Sequence, residues 1–260
     1  MTYPEKILFA IFLLLLISAC STTQEGRKQL LLFNDQELDN MGFQTFNELK
    51  KQEPISTDIA KKNYIACIAT PIIQAMDQNN LAEAWEVQLF ASDQANAFAL
   101  PGKKIGVYEG LLQYAVNQDQ VAAVIGHELA HVTAKHGNER ISQATLSQVG
   151  LSVLGLNSST TAHLVLQYGV LLPYGRTQET EADLIGLHYM ARAGFDPRES
   201  IPLWENMSRA GQKVPQFLST HPSAESRMQR LAERIPLVLP EYNQAVSKKR
   251  RPDCEKYLRG

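Results

Sequence analysis

The chain has 260 residues, 44% hydrophobic and 20% charged, with a formal net charge of −2. That balance excludes a disordered chain, and without a basic surplus it also argues against a nucleic-acid partner. The length suits one compact domain burying roughly 70% of its unfolded surface, so disulfides or metals are not needed merely to hold a core.

Residues Ile7 to Ile17 form an unbroken apolar run of eleven behind the lone cation Lys6. A bilayer span needs about 20 such residues, so the run fits the hydrophobic region of a secretory signal peptide instead. It ends in Ile17-Ser18-Ala19-Cys20, which resembles the lipobox of a bacterial lipoprotein. The resemblance implies removal of residues 1–19 and lipidation of Cys20 on the periplasmic face of the envelope. Ser21 after the cysteine implies the outer membrane. Two or more acyl chains anchor stably where one is marginal. With Cys20 assigned, Cys67 and Cys254 remain, and in an oxidising periplasm two leftover cysteines are expected to pair.

Residues 20–26 are small and polar and read as a tether to the lipid. Leu30 to Leu49 reads as an amphipathic helix. Thr57 to Met76 reads as a second, with Pro71 as a possible kink. Trp85 to Phe90 alternates like a half-buried strand. Asn96 to Leu100 and Ile105 to Tyr108 flank Pro101-Gly102-Lys103-Lys104, a hairpin pattern. A helix capped by Asp119 is expected to run to His136 and close at Gly137. Leu146–Leu156 and Ala162–Leu172 read as a buried or membrane-facing helical hairpin, too short to span. Thr180 to Arg192 is expected to be helical and to stop at Gly194. Asp196-Pro197 opens another helix. A last one, capped by Ser223, is expected to end near Pro236. The peptidase-sized domain is thus drawn over 27–240, followed by a tail over 241–260. From Ser247 onward six cations face only Asp253 and Glu255; a solvated tail is the favoured reading, contact with anionic lipid the other.

Residues 127 to 131 read His-Glu-Leu-Ala-His. On a helix His127 and His131 lie about 40° apart, one turn above the other. Both imidazoles can then reach one zinc ion, with Glu128 between them placed to handle a water. Val121, Ala122, Val124, Ile125 and Leu129 make this helix apolar on most sides, and burying two histidines and a glutamate there without a partner is costly. A third ligand is required. Ala134 and Gly137 occupy the positions where the metzincin pattern has glycine and histidine, so that class is excluded. His136 lies about 180° around the helix from His127 and reads as a C-terminal cap. Downstream, Glu179 and Asp183 are again about 40° apart, so one can ligate while the other orients a ligand histidine. Glu181, about 200° from Glu179, reads as pointing elsewhere.

His127-Glu128-Leu129-Ala130-His131, Pro173-Tyr174-Gly175-Arg176 leading into Glu179-Thr180-Glu181-Ala182-Asp183, and Thr220-His221-Pro222 together resemble the Ste24-type zinc metallopeptidases of the gluzincin group. The likeness runs from about Arg27 to Arg234 and is nearest to single-domain bacterial lipoproteins and the mitochondrial quality-control branch. Gly175 and Lys103 depart from residues common there; neither is a ligand position. The resemblance implies an α+β fold, a mostly helical zincin-like metallopeptidase whose small β-sheet has an edge strand along the cleft. It implies one Zn2+ per chain held by His127, His131 and Glu179, with Glu128 as general base and Asp183 orienting a ligand. Asn96, Ala97, Phe98 and Ala99 match the strand to which an extended substrate adds by backbone pairing. His221 matches a histidine that either fills the open metal position or stabilises the oxyanion, and Arg227 is a weaker candidate for that charge. His163 and His188 carry no role.

The expected function is a lipid-anchored zinc endopeptidase cleaving unfolded or misassembled envelope proteins. The rival is an escort lipoprotein for the outer-membrane assembly machinery with latent protease activity. Gly150-Leu151-Ser152-Val153-Leu154 lacks the final glycine of a serine-hydrolase elbow.

Overall fold

A computed structural model of the chain describes residues 20–23, 25–76, 85–153, 173–209, 215–222 and 225–259. Strand β1 (Cys20–Thr22) pairs antiparallel with β2 (Lys28–Leu30). Helices α1 (Asp35–Gln52) and α2 (Ile59–Met76) follow. Strands β3 (Glu86–Phe90), β4 (Ala97–Leu100) and β5 (Lys104–Tyr108) come next. The remaining helices are α3 (Gln118–Thr133), α4 (His136–Val153), α5 (Arg176–Arg192), α6 (Ser200–Ser208), α7 (Gln216–Thr220) and α8 (Glu225–Ser247). The expected mostly helical α+β architecture is thus present. No helix among the described residues is long and apolar enough to cross a membrane.

The three-stranded sheet has the order β3-β5-β4, with β4 antiparallel and β3 parallel to β5. β4 is therefore an edge. Its Phe98 and Leu100 join Phe46, Phe90 and Tyr108 in an aromatic cluster, whereas Ala97 and Ala99 face the main core of α2, α3, α5 and α6. The alternation follows from the two-residue period of a strand.

Several sequence expectations shift. The segment read as a tether pairs with β2 across Cys20↔Leu30 to Thr22↔Lys28, because Arg27 in the connecting turn is drawn onto Glu139 and Glu181. α1 starts at an Asn34–Glu37 capping box. α3 is capped by Asn117, not Asp119, whose carboxylate instead accepts from the Asp196 backbone at 2.7 Å and pairs with Arg251 at 2.9 Å. The helix ends at Thr133, not His136: Lys135 takes φ 58°, and His136 opens α4. Pro236 does not end the last helix. Both Pro236 and Pro240 lie within α8 on its exposed side, where water can satisfy the carbonyls that lose their partners.

Cys67 of α2 and Cys254 of the tail form a disulfide with Cα atoms 5.6 Å apart. Cys254 is fully buried, its N–H donates to Gln118 Oε1 at 2.8 Å, and Gln118 Nε2 donates to the Pro252 carbonyl at 2.9 Å. Part of the basic tail is thus packed on the start of α3 rather than solvated. Of the expected apolar hairpin, only the first stretch as far as Val153 is seen, at the end of α4; residues 154–172, with His163, lie outside the described residues, as does Ser223.

Candidate metal centre

α3 and α5 cross where neither has a side chain. A Cβ on Gly126 would lie 2.9 Å from the Gly186 carbonyl oxygen, and one on Gly186 would lie 2.8 Å from the His127 nitrogen. Residues 179, 183 and 186 share one face of α5, being spaced four and three apart. The glycine crossing therefore brings Glu179 and Asp183 beside the histidines of α3.

His127, His131, Glu179 and His221 each offer a donor atom, and these atoms lie within 4.8 Å of one another. All four residues are buried. His127 Nε2 is 3.0 Å from His131 Nε2 and 3.1 Å from His221 Nδ1. Glu179 Oε1 is 3.0 Å from His221 Nδ1 and 3.5 Å from His131 Nε2, and its Oε2 is 3.6 Å from His127 Nε2. A tetrahedral ion with ligands at about 2.0–2.2 Å requires edges of about 3.3–3.6 Å. The spacings are close to that figure.

Protonation supports the same conclusion. His127 Nδ1 lies 3.0 Å from Asp183 Oδ1, so its N–H donates there and Nε2 presents a lone pair to the cluster. Burial holds the His131 pKa well below the ordinary histidine value, against the pull of Glu179. Two imidazole nitrogens then converge beside a carboxylate, an arrangement that is repulsive alone and attractive around a cation. Two nitrogens and a carboxylate oxygen are a zinc donor set. The residues fit the ion.

Glu128 is 3% exposed and its carboxyl is pushed above the usual range by burial, against the charges of His221 and His127. Its Oε1 lies 3.2 Å from His221 Nε2 but, like Glu179 Oε2, accepts no well-aligned hydrogen bond. Burial would raise the Glu179 carboxyl too; the His221 charge and its hydrogen bond hold it far below the carboxylate range. For His221 the balance reverses: burial lowers its pKa, but Glu128 and Glu179 raise it above the ordinary value. Its ring is stacked on Phe217 at 4.5 Å and on Tyr174 at 5.4 Å between centroids.

Arg227 binds Asp183 in bidentate fashion, at 2.6 and 2.7 Å, and reaches Glu179 Oε2 at 2.6 Å. It also donates to the Pro222 carbonyl at 2.9 Å and lies over Trp204 at 4.2 Å. Its guanidinium therefore braces the two acids of α5. Asp183, whose carboxyl burial would raise, is kept low by this arginine and by the His127 hydrogen bond. His136 and Glu181, set aside in the sequence reading, both reach the site: His136 Nδ1 is 2.9 Å from His131 Nδ1, and its Nε2 is 3.1 Å from Glu181 Oε2. Neither joins the donors, in line with their angles; it is the capping role read for His136 that fails, because the helix breaks at Lys135 and His136 opens α4. His188 instead pairs with Glu241 at 3.0 Å.

β4 flanks the cluster. Tyr108 N–H donates to the Asn96 carbonyl at 3.0 Å, so by antiparallel alternation Phe98 also bonds toward β5 while Ala97 and Ala99 turn their backbone groups outward. The Ala97 N–H is held by its neighbour Asn96 Oδ1 at 3.0 Å, and that of Ala99 donates toward Glu128. A cavity of about 280 Å³ opens beside the strand, reaching His131 and walled by Trp85, Leu100, Val132, Ile141 and Tyr174.

Comparison with known proteins agrees with this geometry. The profile described as Peptidase family M48 matches residues 60–235. The mitochondrial metalloendopeptidase OMA1 of Schizosaccharomyces pombe is 38% identical over 197 residues, covering 74% of this chain and 56% of that protein. OMA1 of Saccharomyces cerevisiae is 33% identical over 210 residues, covering 76% and 61%. The beta-barrel assembly-enhancing protease of Escherichia coli is 28% identical over 204 residues, covering 72% and 42%. The chain thus spans about half the length of these curated relatives. They support the resemblance at the level of the broader family and not the Ste24 type in particular, with likeness to both a mitochondrial and a bacterial protease. Since the profile covers more than half of its residues, the chain belongs to peptidase family M48.

Proposed function

We propose that the protein is a zinc-dependent endopeptidase, lipid-anchored through Cys20 on the periplasmic face of the outer membrane, that cleaves unfolded or misassembled envelope proteins. The observation that carries the catalytic part is the convergence of His127, His131 and Glu179 donor atoms within one buried cluster, with Glu128 beside it. His127, His131 and Glu179 would hold one zinc ion, leaving a further position. The ion would supply Lewis acidity, polarising the scissile carbonyl and acidifying water.

The chain's own groups do the rest. Glu128 takes a proton from the attacking water at its carboxylate and delivers it to the leaving amine. Asp183 accepts from His127 Nδ1 and fixes that ring, and Arg227 fixes Asp183 and Glu179 in turn. An extended substrate adds along the strand Asn96–Ala99, bonding to the outward carbonyls of Ala97 and Ala99 and taking over their N–H groups from Asn96 Oδ1 and Glu128. The apolar cavity beside β4 accepts one of its side chains. Backbone pairing favours unfolded chains over any one sequence, the requirement for quality control.

Zinc-loaded protein incubated with unfolded casein tests this reading. Cleavage that a chelator abolishes and that Glu128→Gln lacks supports it. Absence of cleavage by a protein containing one zinc per chain favours the second reading, an escort for outer-membrane assembly with latent activity. The position of His221 among the donors is what supports latency. His221 would then act as a fourth donor to the ion until substrate displaced it.

A further inference from the structure

We propose that His136 and Glu181 form a relay that fixes the tautomer and ring orientation of His131, which makes His136 a positioning residue for the metal centre. The inference rests on reading His131 as a ligand. His136 is 0% exposed and is the first residue of α4, directly after the left-handed Lys135. That turn aims its ring back at α3, and the two rings meet edge to face with centroids 4.9 Å apart.

Proton bookkeeping along the relay leaves one arrangement that suits a ligand. Glu181 Oε2 lies 3.1 Å from His136 Nε2 and accepts from Arg27 Nε at 3.0 Å. A carboxylate only accepts, so the His136 proton sits on Nε2. In a neutral ring Nδ1 is then an acceptor. The His131 Nδ1, 2.9 Å away, must therefore carry its own proton and donate it. That leaves the His131 Nε2 lone pair facing His127 and Glu179. The opposite tautomer would place an N–H in the metal position and two lone pairs face to face at the Nδ1 contact.

A ligand histidine ordinarily donates its second nitrogen to a carboxylate, a carbonyl or water. Here an entire imidazole is interposed. The relay continues outward: Arg27 also grips Glu139 at 2.6 and 2.7 Å, and Glu139 Oε2 accepts from Gln178 at 2.7 Å, one residue before Glu179. The turn after β1 is thereby joined to α4 and α5 directly, and to α3 through His136. His127 and His131 consequently have separate supports, Asp183 for one and His136 for the other.

The test compares His136→Leu and His136→Asn in the full chain. Asparagine places Oδ1 near the position of the lost Nδ1 and can accept from His131; leucine cannot. Zinc affinity is read by competition with a chromophoric chelator, ligand geometry by the visible spectrum of the cobalt-substituted protein, and folding by thermal melting of metal-free protein. His136→Leu should weaken zinc about 10–100-fold and alter the cobalt bands, with His136→Asn recovering most of both. Zinc affinity and cobalt spectrum unchanged in His136→Leu would overturn the proposal even if activity fell. Equal losses in both variants that track melting would also overturn it, leaving only a packing role. If His136→Leu does not fold, Glu181→Leu is substituted, with the same losses expected, and unchanged zinc affinity there counts against the relay. Zinc affinity in His131→Ala matching the wild type would instead refute the ligand assignment itself.

Discussion

The imidazole of His221 lies with Nε2 3.2 Å from Oε1 of Glu128, while its Nδ1 sits among the metal donors. One ring thus covers both Glu128 and one side of the donor cluster. If that contact is a plug, His221→Ala raises the initial rate of casein cleavage, because the fraction of open protein no longer limits it. The rate is measured on zinc-matched samples. A fall in rate would assign His221 to the oxyanion instead.

Glu128→Gln should separate binding from chemistry. The amide keeps the size of the side chain but cannot take up the proton, so peptide cleavage should drop about 10²–10⁴-fold, the usual worth of a general base. Glu128 is not among the donors, so zinc content by metal analysis should stay at wild-type level. Glu179→Ala should lose the metal. Substantial activity in Glu128→Gln would remove the residue from the mechanism.

Arg227→Ala leaves Asp183 and Glu179 buried without their cation. Breaking a buried pair costs about 3–5 kcal/mol, and here two carboxylates are orphaned, so urea unfolding of the metal-free protein should show a loss of at least that order. Arg227→Lys keeps the charge but not the planar fork and should fall between. Unchanged stability with reduced turnover would favour the oxyanion role, for which Arg227 is the weaker candidate beside His221.

The contrast between Arg227 and His136 shows what a sequence can reveal. That His127 could meet His131, and Glu179 lie beside Asp183, was legible because each pair sits on one unbroken helix, where spacing fixes the face; which acid joins the donors came from the family resemblance. The hairpin was legible from two apolar runs flanking the turn residues Pro101-Gly102-Lys103-Lys104. His136 was not, because a single left-handed residue, Lys135, resets the helical phase. Glu181 was judged by its angle from Glu179, yet its partner lies on another helix 45 residues away in the chain. Nor did Pro236 announce that the helix continues, since its exposure depends on how α8 packs.

Glu181 also makes an acid-stability prediction. Burial would raise its carboxyl, but hydrogen bonds from His136, Thr23 and Arg27 bring it down to about 2, from an ordinary 4.5. A carboxyl lowered in the fold contributes stability that is fully present above its unfolded pKa and disappears as pH falls through the folded one. The stability difference between metal-free wild type and Glu181→Gln should therefore be constant above about pH 5 and shrink as pH drops from about 4.5 toward 2. Denaturant titrations across that window measure it. A difference that does not shrink would mean that Glu181 gains nothing from its charge.

The closest approach of α3 and α5 supplies the most local test of how the fold makes the site. A methyl group at residue 186 would sit 2.8 Å from the His127 nitrogen and 2.9 Å from the Gly126 carbonyl carbon, backbone atoms that cannot rotate away. Gly186→Ala must therefore push the helices apart, at about 1–3 kcal/mol for an overpacked core. The displacement falls one residue from a ligand and on the face that carries Glu179 and Asp183. Zinc affinity should drop along with stability, and Glu179 should lose its reach to His127 and His131. A half-buried glycine with open space around its Cβ position, Gly137, is the control: Gly137→Ala should leave zinc affinity unchanged. If Gly186→Ala lowered the melting temperature but bound zinc as the wild type does, the crossing would be packing alone, and the alignment of the donors would have to come from Arg227 and the relay through His136.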